Sequence, residues 1–297
     1  LSLIAFMGAL ETGLIFGLVA LGVYISFRIL DFPDLTVDGS FPLGAGVAAV
    51  AIVSGVDPWI ATFMATFAGA LAGALTAWLN VKLGIMNLLA SILVMIALYS
   101  INLRIMGKPN IALLGETTVI SAVENGPIAY YFAIPMLLAV IVAVVMVLVA
   151  LLLQSEFGLS LRATGSNQRM ARSNGVNTGL ATILGMALAN ALVGLAGALF
   201  AQSQGSADIT MGVGVIVIGL AAVIGGEALL STRTVVLAVI AAVVGAVLYR
   251  LAIAFALNAD VIGLKAQDLN LVTALLVTIA IVLPRFKKQR SPKSKAV

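Results

Sequence analysis

The side chains able to do chemistry are few, and they fall in a few places. Asp31, Asp34 and Asp38 crowd the run LDFPDLTVDGSFPLG (30–44), and Glu11 stands alone in an apolar stretch. Arg162, Arg169 and Arg172 punctuate RATGSNQRMARSNGVNTG (162–179), a basic strip between long apolar runs. Asn87, Ser91, Asn102, Asn190, Gln202 and Gln204 lie in or beside such runs. The three aspartates suit either a cation or a solvated loop; a calcium site takes about 6–8 oxygen ligands at closer spacing. Glu11 at the centre of a membrane span would cost about 2.5–3.5 kcal/mol, so it faces protein, a polar path or the interface. Amides and hydroxyls hydrogen-bond a polar solute or hold helices together. Cys and His are both absent, which excludes disulfides, thiol nucleophiles and histidine-based metal or triad chemistry. No catalytic residue and no metal site is expected. The sequence holds no GxxxxGK[ST] loop, so a pump built on it would draw its energy from another chain.

The elements that position these residues are set by lipid. The chain has 297 residues, 62% hydrophobic and 9% charged, against about 25% charged in a soluble domain. Its mean hydropathy is +1.19. So few charges cannot cover a globular surface, and the net charge of +4 sits in loops and a tail, which speaks against nucleic acid. A spanning helix needs about 20 apolar residues. Seven full spans are expected, at 4–27, 59–80, 88–106, 130–154, 179–202, 235–257 and 268–284, with two short pieces at 41–54 and 212–226. The transmembrane domain is then 1–284 and the basic tail 285–297. The first span is too long for a secretory signal and lacks a basic lead. Placing the basic strip and the tail in the cytoplasm leaves only Arg104, Lys108, Arg250 and Lys265 outside, in keeping with the positive-inside rule. The C-terminus is then cytoplasmic.

Each short piece follows a polar, Gly-rich run: 30–44 before the first, QSQGSADITMG (202–212) before the second. Pro33, Pro42 and the glycines break helices. Matching breaks in oppositely directed halves indicate an inverted repeat of discontinuous helices, which line solute paths near the midplane. Two ordinary surface loops are the alternative. The path reading singles out Asp38, Ser40, Asn87, Ser91, Gln204, Ser206 and Asp208. The small-residue runs GALAGAL (69–75) and GLAGAL (194–199) let helices approach closely.

The strip 162–174 reads as one short helix of about 20 Å, ending near Gly175. Arg169 and Arg172 share a face, and Met170 and Ala171 offer apolar contact. Such a helix lies on a bilayer or docks into a partner's groove.

RATGSNQRMARSNGVNT and the following GLATILGMALANALVGLAGALFAQSQGSADITMGVGVIVIGLAAVIGG resemble the permease subunits of bacterial ABC importers, in the family of branched-chain amino acid and ribose-type permeases. The shared marks are Ala171 four residues before Gly175-Val176, a Leu-Ala-Gly pattern (Leu195–Gly197), a polar break and the Gly225-Gly226 pair. Two features depart from the family. Asn167 stands where an acidic residue is common, and ILDFPDLTVDGSFPLG replaces a first break of the Asn-Phe-Ala-His-Gly-Glu type. The second departure is similar to a subfamily associated with tryptophan or other aromatic amino acids.

The resemblance implies an all-α integral membrane fold with an inverted repeat, a bacterial inner-membrane location and a permease that dimerises, as a homodimer. It implies two cytoplasmic ATPases, an extracytoplasmic binding protein and a coupling helix at about 162–175. The coupling residues would be Arg162, Asn167, Gln168, Arg169, Ala171, Arg172 and Gly175. The solute would be an amino acid, with an aromatic one as the narrower reading. Three other readings stand beside it: an ABC importer for a sugar or nucleoside, an ion-coupled secondary transporter, and a membrane enzyme or scaffold. A strongly anionic solute is disfavoured, because Glu11 and Asp208 would repel it.

Overall fold

The computed structural model describes residues 3–121, 129–230, 232–257 and 278. Its elements are α1 (Leu3–Val23), which runs on as a π-turn (Tyr24–Ile29), α2 (Val37–Val53), α3 (Pro58–Leu83), α4 (Asn87–Met106), β1 (Asn110–Ala112) and α5 (Tyr130–Gln154). Then come α6 (Glu156–Ser166), α7 (Gln168–Ser173), α8 (Thr178–Gln204), β2 (Ser206–Asp208), α9 (Val215–Leu229) and α10 (Val235–Leu257). Six helices among the described residues (α1 with its π-turn, α3, α4, α5, α8 and α10) are long and apolar enough to cross a membrane, while α2 and α9 are shorter. These correspond to six of the expected spans and both short pieces. The expected span 268–284 and the tail lie outside the described residues.

Local chemistry sets the helix ends. Asp57 caps α3 by accepting from the Trp59 and Ile60 amides at 2.9 and 3.3 Å, with Pro58 as first residue. Gly84 and Gly107 close α3 and α4 in the left-handed conformation. At Asp31 the backbone turns left-handed (φ 52°), which ends α1, and Pro33 bars any continuation. Aspartate bears this conformation better than most residues, because its short polar side chain bonds locally.

The core is a junction of α2, α3 and α8 built on glycine. A Cβ on Gly69 would strike the Asn190 carbonyl, one on Gly73 the Met186 carbonyl, one on Gly44 the Gly194 carbonyl and one on Gly197 the Phe41 carbonyl. The two small-residue runs thus face each other, and their backbones nearly touch. Beside them Phe16, Phe41 and Phe200 pack with centroids 5.5–5.9 Å apart, tying α1, α2 and α8 together.

Two ends of the molecule can be told apart. At one, Arg28 pairs with Glu227, Gly165 presses on the Ile29 carbonyl, and the side chain of Val81 abuts Gly179. At the other, β1 pairs antiparallel with β2, Asn110 opposite Asp208. There Gln202 donates to Thr62 at 2.9 Å, and Ser203 donates to Glu11. Glu11 therefore faces protein. Arg28, Lys82 and Arg162 belong to the first end and Arg104 and Lys108 to the second, the alternation expected from the loops. Arg250 departs from it: it is half-buried within α10, its guanidinium 3.9 Å from the Phe16 ring centroid. A cation on an aromatic face, rather than a loop arginine, explains its place.

Candidate solute pathway and docking knuckle

The two breaks meet. Pro42 cannot donate to the Asp38 carbonyl, so one backbone acceptor on α2 loses its helical partner. Gly212 of the second break fits there: a Cβ on it would strike the Asp38 carbonyl and the Pro42 ring. The Asp38 carboxylate accepts from the Ile216 amide at 2.8 Å and the Gly214 amide at 3.2 Å, so a side chain of the first break caps α9. Both half-length helices start near this carboxylate, and it answers their positive N-terminal ends.

Behind it lies a buried polar chain. Asp34 accepts from the Thr36 amide at 2.9 Å and from Asn190 Nδ2 at 2.7 Å. Asn190 Oδ1 accepts from Ser40 Oγ at 2.7 Å, and Thr36 shares a 2.7 Å hydroxyl contact with Thr76. Asp34, Thr36, Ser40, Thr76 and Asn190 are all buried. The three aspartates form no cation site: Asp34 is buried against amides, Asp38 caps a helix and Asp31 is exposed. No cluster of metal-ligating residues occurs among the described residues.

In front of Asp38 is an open cavity of about 470 Å³ between α2, α4 and the segment leading into α9. Asp38, Pro42, Met95, Tyr99, Asn102 and Thr210 line it, with Ile96, Ser100, Ile209 and Val213. Asn102 donates to the Gly39 carbonyl at 3.2 Å, and its own Oδ1 is buried with no donor.

Of the residues expected on a path, only Asp38 lines this cavity. Ser40 lies one layer deeper and meets a helix. Asn87 opens α4, where its Oδ1 accepts from Asn80 near the end of α3 at 2.6 Å. Ser91 is buried and bonds its own helix at Leu88. Gln204 is exposed at the end of α8, and Ser206 and Asp208 form β2. Asp208 accepts from the Thr210 hydroxyl at 2.6 Å and amide at 2.8 Å, and from Asn110 at 3.2 Å. The Thr210 hydroxyl above all, then its amide, holds the carboxyl below the ordinary aspartate range. Tyr99 and Thr210 carried no signal taken alone, but Met95, Tyr99 and Asn102 fall at i, i+4 and i+7 of α4 and so share a face.

The basic strip is two helices, not the single rod expected. α6 begins upstream at Glu156, capped by Ser155, and ends at Ser166. Asn167 is extended (φ −160°, ψ 98°) and caps α7, its Oδ1 accepting from the Met170 amide at 3.0 Å. An amide that serves as N-cap competes with helix continuation, which is why the rod breaks there. Gly165 is a contact residue against Ile29 rather than a weak point. α7 ends in a Schellman turn: the Val176 amide donates to Ala171 O and the Gly175 amide to Arg172 O, both at 3.0 Å, with Gly175 at φ 84°. Ala171 is buried, while Gln168, Arg169 and Met170 point outward. Arg172 Nε donates to Thr178 at 2.7 Å and braces the turn. Arg162 lines a shallow cavity with Arg28 and Asp31. The result is an exposed basic knuckle around Arg169 and Met170.

Spanning helices, two half-length helices meeting at paired breaks and a knuckle at one end define a polytopic membrane protein of the transporter kind. Known proteins make this specific. The pattern of the family described as "Branched-chain amino acid transport system / permease component" matches residues 5–282, and the chain belongs to that family. A protein of Clostridioides difficile (strain R20291) named "Tyrosine transport system permease protein" is 40% identical over 272 residues, 91% of this chain and 88% of that one. "Uncharacterized protein RP368" of Rickettsia prowazekii (strain Madrid E) is 35% identical over 277 residues, 92% of this chain and 95% of that one. The solved structure "PsaBC from Streptococcus pneumoniae in complex with Fab" shares the fold, with a TM-score of 0.57 at 14% identity, over 95% of this chain and 94% of that one. The all-α membrane fold and the family expected from sequence are both borne out.

Proposed function

We propose that this chain is the membrane permease subunit of an ATP-driven importer that brings an aromatic amino acid, tyrosine first among them, into the cytoplasm. The observation that carries this reading is the 40% identity, over nearly the whole of both chains, to a permease named for tyrosine transport. The chain carries no phosphate loop, so on this reading ATP and Mg bind a partner ATPase. On this reading two permease copies join two ATPases and an extracytoplasmic binding protein. The knuckle end faces the cytoplasm, as its arginines require, and the C-terminus lies on the same side.

The knuckle docks the ATPase through residues that play no part in holding its own turn. Arg169→Glu with Met170→Glu is therefore the clean variant, since Arg172 braces Thr178. It inserts normally, and the ATPase copurifying with it falls about tenfold, a loss of about 1.4 kcal/mol. Wild-type yield of ATPase would remove the docking role. Vesicles holding permease, ATPase and binding protein take up tyrosine only with ATP. Uptake by the permease alone down an ion gradient would establish the secondary-transporter reading instead.

A further inference from the structure

The cavity in front of Asp38 has the composition of a solute site. Its volume of about 470 Å³ falls within the range of about 300–1,000 Å³ typical of small-molecule pockets. Its walls divide by chemistry. Met95, Tyr99 and Pro42 offer an apolar and aromatic surface, and Asp38, Asn102 and Thr210 offer oxygen. No Lys or Arg is among the residues that line it.

All three oxygens are acceptors with capacity left. A carboxylate has about four acceptor positions, and the Gly214, Val215 and Ile216 amides at the start of α9 take at most three of those of Asp38. Asn102 spends its Nδ2 on the Gly39 carbonyl, which fixes the amide orientation and leaves Oδ1 buried without a donor. A buried orphan acceptor costs stability and calls for a missing donor. Thr210 gives its hydroxyl hydrogen to Asp208, so its oxygen too can only accept. Asn102 is bonded to the carbonyl of the residue after Asp38, which keeps the carboxylate and the amide at one wall. A primary ammonium carries three donors and a positive charge. It answers this set, and an anion does not.

We propose that this cavity is a solute site within the permease, one that takes the ammonium group of an amino acid against Asp38 and Asn102 and its aromatic ring against Met95 and Tyr99. The proposal rests on the amino-acid reading above and gives that solute a place in the membrane domain. It also answers why α4, largely exposed, carries a Tyr and an Asn on one stripe.

The chain has no cysteine of its own, so a single Ser100→Cys at the cavity wall reports occupancy. The full chain in lipid vesicles is labelled with a water-soluble maleimide in the presence of L-tyrosine, L-phenylalanine, phenethylamine or N-acetyl-L-phenylalanine. The two amino acids and the amine slow labelling about threefold at twice their dissociation constant, the factor 1 + [L]/Kd. The N-acetyl compound, which keeps the ring and lacks the ammonium, does not. Asp38→Asn abolishes the protection, and Tyr99→Ala, at an exposed position, weakens it. Should Asp38→Asn fail to fold, the comparison of amine with N-acetyl compound decides alone. Equal protection by both compounds, or none by either while ATP-driven tyrosine uptake proceeds, overturns the site and leaves the importer standing. Protection by amines in a transporter that takes up only a sugar upholds the ammonium site and overturns the proposed solute.

Discussion

The two breaks hold matching places in oppositely directed halves, yet they are secured by different means. The first, at 30–36, is locked by side chains: Asp34 and Thr36 reach Asn190 and Thr76 on two other helices, all buried. The second, at 205–214, is secured by backbone. Its β2 pairs with β1, its Gly212 sits on the Asp38 carbonyl, and its α9 amides take the Asp38 carboxylate. A buried carboxylate must keep its partners or carry a large desolvation cost, so the first break is fixed in one geometry. The second break holds a carboxylate too, but Asp38 is only part-buried and meets backbone amides, so the penalty there is smaller. The first break therefore behaves as frame, and the second is the side on which the cavity can change shape.

The largest way to break this contrast is Asn190→Leu. It removes a donor from Asp34 and an acceptor from Ser40 in a space already closed by Gly73. Stability falls by about 3 kcal/mol, the upper end for a buried acceptor robbed of its donor. Thermal unfolding of the purified chain in detergent measures it, with Ser40→Ala as the milder control at about 1 kcal/mol. Equal, small losses for both would show that the polar chain is not what locks the first break.

Gly212→Val tests the other side. The added carbons meet the Asp38 carbonyl and the Pro42 ring, and overpacking of this kind costs about 1–3 kcal/mol. If the second break is the more adaptable, its loss is smaller than that of Asn190→Leu, and the strain appears as altered labelling of a cysteine at position 100. A loss larger than that of Asn190→Leu would reverse the assignment of frame and moving side.

Much of this was legible in the sequence, and the reason is lipid. Apolar length alone located the six spans, because every backbone group in a bilayer must be satisfied within its own helix. The glycine runs at 69–75 and 194–199 announced close helix packing, the one reason for such a density of small residues; that they pair α3 with α8 emerges only in the fold. What stayed hidden depended on partners distant in sequence. Nothing near Asp38 shows that it caps a helix beginning at Val215, and nothing near Ser40 shows that Asn190 awaits it. The break at Asn167 was readable: Asn at a cap position competes with helix continuation, but the arginines drew the strip together as one amphipathic run. Asn102 was recognisable as a polar residue in a span, and only the cavity beside it separates a solute role from helix packing.

The smallest expected effect lies at the rim of the second break, and pH reads it. Thr210 donors hold the folded-state pKa of Asp208 below its ordinary value. A depressed folded pKa contributes stability that is fully present above the unfolded pKa of about 3.9. That contribution is lost as pH falls through the folded value. Asp208→Asn keeps the shape and removes the charge, so it lowers stability by about 0.5 kcal/mol or less at pH 7, as befits a solvated position. The gap between variant and wild type stays constant from about pH 5 to 8 and closes only in acid, below about pH 4. Thermal unfolding of both proteins across that range supplies the measurement. A gap of several kcal/mol, or one that changes near neutrality, would mean that the ribbon locks the second break as firmly as Asp34 locks the first, and the contrast between the two halves would fail.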